Sequence, residues 1–182
     1  MLADRDAALA KDPDPLAPFR VALEGGNPVA GSMVFARNPV MQCIRCHRYS
    51  DEAGGEAGPN LAGIGARESR EYILQSILKP SAKIAAGYEI VTVTKKSGEA
   101  IVGTLVRRDD KVLQLKTGDS TLEIPTGDIK GVESAPSAMP EIAALVLTKA
   151  QIRDLVEAVA SLKVPPTARG EKTLRALRHR EE

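Results

Sequence analysis

Cys43 and Cys46 are the only cysteines of the chain, and His47 follows them directly in "MQCIRCHRYS", residues 41–50. The pattern Cys-x-x-Cys-His places all the thiol chemistry beside one of just two histidines. Four chemistries compete for it. A redox dithiol belongs between a strand and a helix of a parallel sheet, usually without a glycine-rich loop just behind it. Half of a zinc site needs a second pair of ligands, and the chain offers only His179 in a basic tail. Two inert core cysteines need no histidine next to them. Covalent haem attachment uses every residue of the motif: two thiols on one turn reach the two vinyl groups along one porphyrin edge, and the adjacent imidazole comes under the iron. This last reading is favoured: one haem c, held through Cys43 and Cys46 and ligated by His47.

Such an iron needs a sixth ligand or an open position, and the chain has four methionines. Met41 lies two residues from the tether and cannot reach across the ring. Met33 falls on the expected apolar face of a first helix, where a core role suits it. Met1 is terminal. Met139, in "PSAMPEI", sits on a non-helical segment ahead of the last helix. A thioether there can simply fill core space. With Cys-x-x-Cys-His upstream, Met139 is instead the candidate iron ligand opposite His47.

The elements that position these residues follow from period and punctuation. Residues 1–26, rich in Ala, Asp and Pro and closed by Gly25-Gly26, suggest an N-terminal linker. Asn27 can cap a helix that Pro28 begins, with Val29, Met33 and Ala36 on one face. A glycine-dense loop follows the cysteines. Ser69 then caps a helix carrying Tyr72, Ile73, Ile77 and Leu78, which stops before Pro80. From Tyr88 the period changes to that of strands. "YEIVTVTKK", "AIVGTLVRR", "KVLQLKT" and "STLEIPT" predict an antiparallel meander, and "IKGVE" a fifth strand that helps close a small barrel. Helix returns at "LTKAQIRDLVEAVASLK", where Thr148 and Gln151 form a capping box and Ile152, Leu155, Val156, Val159 and Leu162 share a face. A basic, solvated tail occupies 164–182.

Composition narrows the function classes. The 182 residues are 43% hydrophobic and 27% charged, with a formal net charge of +1, so no global charge drives the chain toward nucleic acid or an anionic membrane. Lys95, Lys96, Arg107, Arg108 and Lys111 decorate the strands, but Tyr88 is the only aromatic there, and single-strand binding pairs cations with stacking rings. Aromatic residues are only 3% of the whole, with no Trp, and a porphyrin would supply the missing flat apolar body. No apolar run approaches the ~20 residues of a membrane span. Nor does the N-terminus resemble a signal peptide. A haem c protein is matured after export, so a periplasmic or otherwise exported location is expected, with the signal outside this chain.

"CIRCH", "GPNL" at Gly58–Leu61 and "MP" at Met139-Pro140, in this order among helices, resemble class I monohaem c-type cytochromes. The similarity is closer to the haem-binding cytochrome domain of large secreted planctomycete and verrucomicrobial proteins, through "GPNLAGIG", "SREYILQSILKPSAKIAAGYE", the β-rich insertion and "SAMPE". It spans about residues 27–163. It implies a mostly α cytochrome c fold, built from 27–84 and 134–163, with a small antiparallel β-barrel-like subdomain inserted at 85–133, α+β overall. It also implies that the Pro59 carbonyl accepts a hydrogen bond from His47, that Leu61 lies against the haem face, and that the first and last helices cross. The inserted strands depart from ordinary small cytochromes.

With His47 and Met139 as axial ligands the iron is six-coordinate and keeps its ligands in both oxidation states, which suits electron transfer rather than catalysis. The partners implied are redox proteins: a dehydrogenase as donor and a cytochrome or oxidase as acceptor. The alternative is a haem-based sensor in which a labile Met139 admits a small ligand.

Overall fold

The computed structural model describes residues 12–50 and 53–164. Met1, His179 and nearly all of the basic tail lie outside them. The chain divides into two units: Met1–Lys79 with Glu141–Glu182, and Pro80–Pro140.

In the first unit, α1 (Pro28–Arg37) begins at Asn27, whose side chain accepts from the N–H groups of Val29 and Ala30. After a short α2 (Ile64–Arg67), α3 (Arg70–Leu78) is capped by the Ser69 hydroxyl. A second short helix, α4 (Ala143–Val146), precedes α5 (Lys149–Ala160), which opens with the expected Thr148/Gln151 capping box. Ile73, Leu74, Ile77, Leu78, Ile152, Leu155, Val156 and Val159 form the buried core. Residues Ala17–Ala22 are a 3-10 helix rather than linker. Ala22 is fully buried in that core and Phe19 packs against it.

The face that α1 buries differs from expectation. Val29 and Met33 are 73% and 46% exposed, while Gly31 and Phe35 point inward. Backbone approach explains the choice: a Cβ on Gly31 would lie 1.9 Å from the Asp154 carbonyl oxygen and 2.8 Å from the Ala158 Cβ. The missing side chain lets α1 and α5 touch, so the glycine selects the face. Met33 therefore does not have the core role its sequence position suggested.

The second unit is a five-stranded antiparallel sheet: β1 (Ile90–Lys95), β2 (Ala100–Arg108), β3 (Val112–Thr117), β4 (Ser120–Pro125) and β5 (Ile129–Ser134), in the order β4-β3-β2-β1-β5. Only the 3-10 turn Thr126–Asp128 joins the two edge strands. Strands ~4.8 Å apart would set the edges of a flat sheet ~19 Å from each other. Four Cα steps reach at most ~15 Å. The sheet must curl, and register shifts at Thr94/Lys95 and Leu105/Arg107 supply bends. Val91, Val93, Leu113, Leu115 and Ile124 fill its concave side as a separate core.

The expectation of a mostly α cytochrome c fold is therefore overturned. The chain is α+β, and its largest regular assembly among the described residues is this sheet, which runs from Ile90 to Ser134, has its own core and lies within the unit Pro80–Pro140. The cysteine motif drew weight toward the helices, yet α2 and α4 are single turns. Barrel closure is also incomplete, since β4 and β5 share no pairing. Among the described residues no helix is long and apolar enough to cross a membrane.

Candidate functional site

Residues Cys43–Arg45 form one 3-10 turn, entered through Gln42 in the left-handed region at φ 43° and ψ 43°. The Cys43 carbonyl accepts from both Cys46 N–H at 3.1 Å and His47 N–H at 2.9 Å. Both thiols and the imidazole thus leave the backbone from one turn, where side chains three apart nearly eclipse. Both thiols are free; Cys43 is half-buried against the core of its unit and Cys46 is exposed. Burial pushes the Cys43 thiol above its ordinary value, aided by the nearby Cys46 and opposed by a backbone hydrogen bond. An attacking thiol in a redox pair needs the reverse shift. Among the described residues no three His, Cys, Asp or Glu side chains form a group that could hold a metal ion.

His47 is held from the other side by the glycine-dense loop. Its Nδ1 lies 2.9 Å from the Pro59 carbonyl oxygen. A carbonyl only accepts, so Nδ1 carries a proton, and in the neutral ring Nε2 is the nitrogen with the lone pair. Gly58 backs the ring: a Cβ there would sit 2.7 Å from Cε1 and 2.9 Å from Nδ1. The loop is laced to the turn by Gly55 N–H to Ile44 O at 2.8 Å, Gly58 N–H to Cys46 O at 2.7 Å and Leu61 N–H to Arg48 O at 2.7 Å. Gly54, at φ 110°, and Gly55 come so close to the backbone at His47 and Arg45 that side chains would collide. An Arg48–Glu56 ion pair at 2.9 Å braces the same loop.

In and next to this turn and its loop, Met41, Cys43, Ile44 and Leu61 are half-buried, each packed on the helical core and each leaving apolar surface uncovered. The helical frame beneath is rigidly tied. Asp154 Oδ1 accepts from Asn27 N–H at 2.9 Å, and Arg70 forks onto both Glu157 oxygens at 2.8 and 2.9 Å while also donating to Leu23 O. The donor set of two thiols and an imidazole with a free Nε2, bordered by apolar side chains, fits a covalently held haem.

Five of the six residues singled out from sequence, Cys43, Cys46, His47, Pro59 and Leu61, belong to this unit, four of them in direct hydrogen-bonded connection through the turn and loop. Met139 belongs to the other unit. It is half-buried on a non-helical segment, with its N–H donated to Ser137 Oγ at 3.2 Å. Sequence reasoning passed over Gly58 and Gln42. The first was visible only as part of "GPNL", and nothing in residue type signals the left-handed backbone of the second. Compared with protein-family models and with curated proteins, the chain matches none.

Proposed function

We propose that this chain is an electron-transfer module carrying one haem c through Cys43 and Cys46, with His47 Nε2 as one axial ligand and the Met139 thioether as the other. The observation that supports it most is the His47 imidazole, whose Nδ1–H is committed to the Pro59 carbonyl. That bond selects the tautomer a metal requires and aims the ring at a fixed point beside the two thiols. When bound, haem c supplies a one-electron couple, and a soft thioether ligand favours its ferrous state. The protein's own part is to hold. Pro59 and Gly58 keep the imidazole from rotating, the half-buried apolar residues exclude water, and the tied helices limit rearrangement. The Met139 assignment rests on sequence alone. The electron donor in this proposal is a dehydrogenase and the acceptor a cytochrome or oxidase, in the periplasm or another exported location. The chain itself performs no catalysis.

A pyridine haemochrome spectrum of denatured protein, produced with a haem-maturation system, tests the core of the reading. The expected result is c-type haem that stays with the polypeptide and disappears in the Cys43→Ser/Cys46→Ser double variant; a colourless wild-type chain defeats it. For the sixth ligand, Met139→Ala converts the iron to high spin and Met33→Ala leaves it unchanged. Ready carbon monoxide binding by the ferrous wild type would favour the sensor alternative.

A further inference from the structure

Gln42 is the only non-glycine among the described residues with a positive φ. A residue with a Cβ enters the left-handed region against steric resistance, and a long side chain persists there only when its surroundings hold it. Four hydrogen bonds do so. The backbone N–H donates to Asn38 O at 3.2 Å and the carbonyl accepts from Arg45 N–H at 2.9 Å. The side-chain amide spans both flanks: Nε2 donates to Pro39 O at 2.7 Å, and Oε1 accepts from Arg45 Nη1 at 2.7 Å. Just upstream, Asn38 Oδ1 accepts from Val40 and Met41 N–H groups at 3.0 and 2.9 Å, so one turn runs into the next with Gln42 as the junction.

Glycine would take this backbone shape without strain, but it could not bridge Pro39 and Arg45. The amide thus adds something that relief of strain alone would not. We infer that Gln42, clamped by Arg45 and the Pro39 carbonyl, is a positioning residue that preforms the Cys43–Arg45 turn, so that the two thiols and His47 are set before any haem arrives. This rests on the haem-attachment reading for its purpose, though the geometry of the turn can be measured without haem.

Two readouts test it on the full chain. The first is alkylation of the haem-free protein followed by mass spectrometry. With the turn preformed, exposed Cys46 reacts at least fivefold faster than half-buried Cys43, and Gln42→Val, whose β-branch resists the left-handed region, brings the ratio close to one. The second is covalent haem per chain after maturation, which falls in Gln42→Val and falls less in Gln42→Asn, an amide that tolerates the left-handed region but is one methylene short of the full bridge. Circular dichroism checks folding. Should Gln42→Val not fold, Gln42→Gly decides: it keeps the backbone shape and loses the clamp, so its ratio drops below that of wild type. A ratio unchanged in Gln42→Val, or in Gln42→Gly when valine does not fold, overturns the inference. A wild-type chain that takes up no haem defeats the electron-carrier reading, and the alkylation ratio still decides whether Gln42 sets the turn.

Discussion

The two units use their apolar residues differently. In the sheet unit, Val91, Val93, Leu113, Leu115 and Ile124 are between 0% and 1% exposed, and the curled strands close over them. In the helical unit a comparable core exists, but a fringe of apolar side chains beside Cys43–His47 stays half-covered, and the loop there is shaped by glycines and backbone hydrogen bonds rather than by side-chain packing. One region is finished by its own residues. The other presents chemistry together with apolar surface that still needs a cover.

Substitutions can separate the two. Leu113→Ala, at a fully buried position, should cost ~2–5 kcal/mol and lower the unfolding midpoint of the sheet, measured by denaturant titration. The accessibility of Cys46 to alkylation should stay as in wild type; if it changes in step, the units do not behave independently. Gly58→Ala should do the reverse. Its Cβ would press on the His47 ring, so the loop or imidazole must shift at a cost of ~1–3 kcal/mol. The signature is an altered imidazole environment by NMR, with sheet amide protection unchanged.

Smaller effects come from charge. Glu157 is held below its ordinary value first by the hydrogen bonds from Arg70, with side chains that are 20% and 30% exposed respectively. Because the folded value is depressed, its stabilisation is present above the unfolded value of 4.5 and is lost as pH falls through the folded one. Glu157→Gln should therefore cost about 1 kcal/mol at pH 7, after allowance for solvent screening, and progressively less as pH falls below 4.5. In the sheet unit, Asp109 is lowered to about 2 by the Val112 and Lys111 backbone N–H groups and by Arg107. Asp109→Asn should remove a slight acid-side dependence, seen as a flatter stability profile between about pH 4 and 2. Equal pH profiles for both variants would erase this contrast between the regions.

How legible these features are in sequence follows the same division. The strands and helix caps could be read because period and cap residues are local signals: β2 begins and ends where "AIVGTLVRR" does, and Asn27, Ser69 and Thr148 each cap as their types suggest. The Cys-x-x-Cys-His motif was equally plain. What escaped was decided by backbone approach. Counting apolar side chains put Val29 and Met33 inward, whereas Gly31 admits the neighbouring helix and turns Phe35 to the core. The strand segment could be read as a subdomain from the change of period at Tyr88, but the motif gave the helices too much weight in the fold class. That Met139 falls with Pro80–Pro140 is decided by contacts that no local signal marks.

The tether Thr126–Asp128 has a consequence for how this protein could vary. The strands bend at their register shifts, but the shortness of that link is what holds the two edges together, so spacer residues inserted there would release the edges and let the layer open, uncovering Leu115 and its neighbours to water. Hairpin tips such as Gly118 could be lengthened with no such result. A permitted change in loop size at one corner is thus a change of shape at another.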